Sequence, residues 1–227
     1  MAQSVLVIAD SGTGKSTAIR DLNPDETFII NIANKPLPFK GWKSNYKVAN
    51  KANPTGNLVS SSSAAGIVKA VHHVDQKMPH IKTLVIDDWQ YMSSFEYFDR
   101  ANEKGYDKFT QIAANLAMVA KLPKDLRDDL TVIFLTHSED STDINGNRKI
   151  KAKTIGKMID NTLTLEGLFS IVLFGKVNKN DDGELEYGFE TQNNGENTCK
   201  SPQGMFEDFF IPNNLQYVKD CIKKYEE

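Results

Sequence analysis

Cysteine is scarce in this 227-residue chain, and the two present, Cys199 and Cys221, have neither metal-binding spacing nor a secretory context. They suit a reducing, cytoplasmic setting. Arginine is scarce too, with four (Arg20, Arg100, Arg127 and Arg148) against 23 lysines. Small-molecule phosphotransferases clamp the transferred group with lid arginines, and only Arg148 falls in a suitable loop, which counts against that class. No signal peptide is evident and no apolar run approaches the roughly 18 residues a membrane span needs, so no membrane role is expected. Positive charge is not in excess either. At a net charge of −3 the chain has no global attraction to nucleic acid, so any such contact needs a local patch and must weaken with salt. With no internal repeat or low-complexity linker, residues 1–227 read as a single α/β domain.

What the chain does have is Val5-Leu-Val-Ile-Ala-Asp-Ser-Gly-Thr-Gly-Lys-Ser-Thr17, an apolar strand entering a glycine-rich turn that ends in Gly14-Lys15-Ser16. This is a phosphate-binding P-loop layout. Gly12 and Gly14 let backbone N–H groups curl around phosphates, and a helix over Lys15–Leu22 points its positive end at them. Ala9 to Thr17, namely Ala9, Asp10, Ser11, Gly12, Thr13, Gly14, Lys15, Ser16 and Thr17, form the expected ATP cradle. Lys15 reaches the β/γ-phosphates, and Ser16 ligates Mg²⁺. Ala9 stands where the pattern has glycine, which a negative φ permits.

Further along, Thr27–Asn31 reads as a strand, and Ser60–Ser63 can cap a helix with the apolar stripe Ile67, Ala70, Val71 and Val74, ending near Met78-Pro79. Residues 81–86 are an apolar strand closing on Asp87-Asp88. Helical periodicity spans Trp89–Lys104 and Lys108–Ala120 with a break at Gly105; Trp89, Tyr91, Phe95, Tyr97 and Phe98 could stack bases, but their helical spacing points to core packing. Thr131–Thr136 is a buried strand delivering His137 at its end. Ile171–Phe174 and Glu184–Thr191 are strands joined by the turn signal at 180–183, and Asn214–Lys224 closes the chain as a helix. Alternating strands and helices predict a mostly parallel sheet with a late antiparallel hairpin.

Asp87, at the carboxyl end of its strand, is expected to hold Mg²⁺ beside Ser16. Asp88 can orient an attacking water, support Asp87 from behind, or cap the next helix. His137 is either a γ-phosphate sensor or an ordinary loop histidine. His72, His73 and His80 have no ligand spacing.

This order of P-loop, second strand, Asp-Asp strand and Thr-His strand resembles the RecA-like ATPase core, above all the minimal phage proteins proposed to anneal single strands during recombination. The resemblance implies an oligomeric, cytoplasmic ATP-binding protein that handles single-stranded DNA. It also implies DNA-contacting loops after the sensor strand, the place held here by Arg148, Lys149, Lys151, Lys153 and Lys157. Lys149, Lys151 and Lys153 project from one side of an extended segment; the alternative is a solvated face. Lys200 is similar to the lysine of a Lys-x-Arg turn that reaches a neighbour's nucleotide, with Pro202 in the arginine's place; as a bland alternative it is a surface lysine. Where recombinases of this class carry a catalytic glutamate, this chain has Asn31-Ile32-Ala33-Asn34. With that departure, hydrolysis is expected to lean on Asp88 or to be slow. A nucleotide-gated module for a single-strand-binding protein or another replication factor is the competing expectation.

Overall fold

The computed structural model describes the whole chain apart from residues 143–145, 147, 156–162 and 181. Its sheet is built from β1 (Gln3–Ala9), β2 (Thr27–Asn31), β3 (Leu58–Val59), β4 (Thr83–Asp87), β5 (Thr131–Thr142), β7 (Ile171–Lys179), β8 (Leu185–Glu190) and β9 (Phe210–Pro212), in the order β3-β2-β4-β5-β1-β7-β8-β9. All neighbours from β3 to β7 are parallel, and β8 and β9 add antiparallel edge strands. The parallel order leaves β5 between the glycine-rich strand and the acidic strand. A ninth strand, β6 (Arg148–Ala152), pairs antiparallel with the outer half of β5.

The apolar run of β1 divides by its period of two. Leu6 and Ile8 face one layer with Ile67, Val71, Val74, Leu116, Val119 and Phe134, while Val5 and Val7 face another with Ile19, Leu215, Val218 and Ile222. The first layer is supplied by α2 (Ala64–Lys77), α3 (Gln90–Asp99) and α4 (Asp107–Lys121), and the second by α5 (Leu215–Glu226); a one-turn α1 (Trp42–Asn45) lies in the loop between β2 and β3. Local signals set several boundaries. The Ser63 hydroxyl accepts from Gly66 N–H at the start of α2, and the Asn214 side chain accepts from the N–H groups of Gln216 and Tyr217 at the start of α5. Gly183, at φ 80°, closes the β7–β8 turn by donating to Asn180 O.

Three expectations change. The segment after the glycine-rich turn is a 3-10 turn, Ser16–Asp21, in place of the expected α-helix; it stops before Pro24, where Asn23 turns its side chain to Asp25 N–H. A six-residue 3-10 turn has little dipole, so the loop's own N–H groups carry any attraction for phosphate. His137 does not end its strand: β5 runs on to Thr142, and only the parallel pairing with β1 stops there, at Ala9↔His137. Finally, Trp89 is fully buried against Phe134 and Phe169, whereas Tyr97 is partly exposed and Phe98 lies open on the α3–α4 corner, where helix α3 ends at Asp99. Among the described residues no helix is long and apolar enough to cross a membrane.

Ala9 shows how a departure from the expected glycine is absorbed. It is fully buried in β1 without positive φ, directly opposite Gly175 of β7, and a Cβ at Gly175 would lie 2.8 Å from the Ala9 methyl. The missing side chain has moved to the neighbouring strand. Gly175→Ala should therefore cost about 1–3 kcal/mol by overpacking, and adding Ala9→Gly should recover most of it; urea midpoints of the two variants and wild type test this.

Candidate functional site

The carboxyl ends of β1, β4 and β5 converge on a cleft of about 680 Å³. Asp10, Ser11, Gly12, Gly14, Lys15, Ser16 and Thr17 line it, with Lys35, Tyr91 and His137 at one side and Tyr187, Pro212 and Asn213 at another. Of the expected cradle, Ala9 and Thr13 stand back from the cleft: Ala9 is core, and the Thr13 hydroxyl donates to Asp10 O at 2.8 Å, closing the loop on itself. Gly12 and Gly14 sit at φ 83° and 85°, left-handed values that turn successive N–H groups inward. Asp10 is tied to the β5 extension by a hydrogen bond from Ser138.

Two carboxylates anchor the floor. The Ser16 hydroxyl donates to Asp87 Oδ1 at 2.8 Å, so the two residues expected to share a cation are already in contact. Burial and the adjacent Asp88 charge push the Asp87 carboxyl above the usual carboxylate range, a strain that a divalent cation there would relieve. Among the described residues no three His, Cys, Asp or Glu side chains gather into a metal cage, so such a cation would take its remaining ligands from water and phosphate.

Asp88 is a hub for positive charge. Lys15 Nζ lies 3.1 Å from its Oδ1, His137 Nε2 3.5 Å from the same oxygen, and Lys35 Nζ 2.5 Å from Oδ2, an ion pair that leaves Oδ2 without a well-aligned hydrogen bond. Burial works to raise this carboxyl, but His137 and the two lysines outweigh it and hold it well below the usual range. Asp88 sits at φ 60°, its carboxylate is taken up by Lys15, Lys35 and His137, and the N-terminus of α3 receives no side-chain cap. Capping of the next helix is thereby removed from the three roles open to Asp88. His137 is oriented in turn by Gln90, whose Oε1 accepts from His137 N–H at 3.2 Å and from the Thr136 hydroxyl at 3.3 Å.

A glycine-rich turn on the first strand, a serine–aspartate pair and a buried lysine–aspartate pair on one parallel sheet call for comparison with known families. The family model described as an AAA domain matches residues 1–203. The chain belongs to that AAA domain family. It is thus a nucleotide-binding P-loop ATPase domain, with α5 and β9 beyond the matched stretch. No curated protein matches the chain significantly. Nothing in the family match speaks to DNA or to annealing.

The remaining expected residues of this AAA domain lie apart from the cleft. Arg148, Lys149 and Lys151 are on β6, and Lys153 follows it; Lys157 lies outside the described residues. Arg148 pairs with Asp140 at 2.8 Å and Lys151 with Glu139 at 3.2 Å. Lys200 does not line its own chain's cleft. Its backbone bridges Val172 of β7, with N–H and C=O bonds of 3.0 and 2.8 Å. Sequence reasoning missed Lys35, which sits on a loop with no helical or strand periodicity to mark it; its one signal was the place it holds, just after β2 where a carboxylate was sought. Gln90 was missed for a different cause: glutamine at a helix start reads as surface, yet it is buried.

Proposed function

We propose that this AAA domain binds Mg-ATP through Lys15, Ser16 and Asp87, hydrolyses it slowly, and uses it to control binding of single-stranded DNA, promoting annealing or strand exchange as an oligomer. The observation that carries the reading is one main-chain hydrogen bond: Lys153 N–H donates to His137 O at 2.8 Å. His137 faces the cleft beside Asp88 and also belongs to the strand that pairs with β6, so a change at the γ-phosphate reaches the basic strand through a single residue. The Arg148–Asp140 and Lys151–Glu139 pairs are partly or largely open to solvent, where such bonds are weak and readily exchanged for phosphate contacts.

Those same pairs favour a second reading. Because Asp140 and Glu139 offset part of the positive charge of β6, this face also suits a protein partner of a replication or recombination system, engaged in one nucleotide state only. Fluorescence anisotropy with labelled single-stranded DNA across a salt series separates the two. DNA binding should be tighter with Mg-ATP than with Mg-ADP, by a coupling of about 5- to 150-fold that ATP binding must show in return. Replacing Lys149, Lys151 and Lys153 with alanine should flatten the log–log salt slope by about two units, at about 0.7 per lost phosphate contact. An unaltered slope assigns the face to a protein partner or to solvent.

A further inference from the structure

We propose that Lys35 reads the γ-phosphate from within the same chain, so that the cleft distinguishes nucleoside triphosphate from diphosphate through a residue outside the glycine-rich loop. The inference rests on the nucleotide-binding reading of the cleft and adds a contact to it.

Lys35 has a fixed root and an exposed stem that ends on Asp88. The Asn31 side chain grips its backbone from both sides, Nδ2 donating to Lys35 O at 2.6 Å and Oδ1 accepting from Lys35 N–H at 3.3 Å. Asn31 is itself held in register opposite Asp87 at the last pair of β2 and β4, so the stem leaves the sheet at the level of the acidic pair. The side chain beyond is 59% exposed, lines the cleft, and passes the Tyr91 ring at 5.7 Å. Its ammonium therefore moves without any rearrangement of the fold.

Charge counting shows why it should move. Lys15 and Lys35 both face the single negative charge of Asp88, while Asp87 is turned to Ser16. The Lys35 ammonium keeps donors that Asp88 does not use, and with a divalent cation drawn to Asp87 the two lysines would be left against Asp88 alone, a positive excess that a phosphoryl group would balance. The glycine-rich loop and Lys15 approach a bound nucleotide from the β1 side, whereas Lys35 comes from the β2 side, beside Asp88 and His137. A phosphate chain that starts on the loop meets Lys35 only at its far end. Burial tends to lower the Lys35 ammonium, but Asp88 and Asp87 more than offset that and keep it protonated, ready to donate.

Calorimetry with the non-hydrolysable Mg-AMP-PNP and with Mg-ADP tests the assignment on wild type, Lys35→Ala and Lys35→Arg. Lys35→Ala should weaken Mg-AMP-PNP binding roughly 10- to 100-fold, the factor expected for one hydrogen bond to a charged group, and leave Mg-ADP binding unchanged. Lys35→Arg should restore most of the difference. Equal losses for both nucleotides, or none for either, with wild type binding both, would overturn the role of Lys35 while the nucleotide site stands. A wild-type protein that binds neither nucleotide would overturn the cleft assignment itself, and Lys35 with it. A single cooperative thermal transition of Lys35→Ala without nucleotide, its midpoint lowered only slightly by the loss of this half-exposed pair with Asp88, confirms that the variant is folded.

Discussion

Lys15→Ala should abolish Mg-ATP binding measured by calorimetry, with a loss of at least roughly 100-fold, because the variant removes a charge-assisted contact that the loop N–H groups cannot replace. Lys15 is almost wholly buried, which means a bound phosphate would meet it in a site largely cleared of water, where a charge pair is worth more than at the surface. The substitution also takes one of the two lysines from Asp88, so the depressed carboxyl should rise. Wild-type affinity in Lys15→Ala would show that the cleft does not bind triphosphate through this loop.

Asp88→Asn should have the largest effect on the nucleotide-free protein. It keeps the side-chain volume and removes the charge that Lys15, Lys35 and His137 share. Stability should fall by about 1–3 kcal/mol, below the roughly 3–5 typical of a fully buried pair, because Lys35 is exposed and the repulsion on Asp87 is relieved. Mg-ATP should restore the thermal midpoint, since phosphate then neutralises the two lysines, and binding to the stabilised native state adds to it by mass action. A variant that neither loses stability nor keeps its ATP affinity would contradict the hub.

The same residue sets a pH dependence with a definite sign. Asp88 has a folded-state value below the ordinary carboxylate value of about 3.9, so its contribution is complete above that pH and is lost as pH falls through the folded value. Asp87, raised by burial, works in the opposite direction and offsets part of the loss. The stability advantage of wild type over Asp88→Asn should accordingly be constant near neutral pH and shrink as pH falls below about 4, because the variant lacks the Asp88 contribution at every pH. Denaturant midpoints from pH 7 down to pH 3 measure the difference.

Much of this was legible along the chain because the signals are local. The glycine-rich turn needs no partner to be recognised: two glycines, a lysine and a serine at consecutive spacing after an apolar strand already specify a phosphate cradle. Strand β2 was read with its observed limits, and Asn214 marked the start of α5, because a short apolar run between turn residues and a helix cap are both signals within a few residues. Two-residue β3 and three-residue β9 left no such trace, since strands that short show no periodicity and exist only where an edge of the sheet is offered to them.

The sequence by itself determined the parts of the candidate site: the glycine-rich loop, its Ser16 and Lys15, and the acidic end of β4 that faces them. Tertiary structure alone decided how these charges are arranged. The partnership of Asp88 with Lys15, Lys35 and His137 joins residues from four separate segments, and it depends on β5 lying between β1 and β4. Likewise, Ala9 is tolerated in place of glycine because Gly175, far away in sequence, lies opposite it. Such facts escape a linear reading for one physical cause: electrostatic and steric complementarity act through space at distances of a few ångströms, while spacing along a chain records only what lies within a turn or a strand.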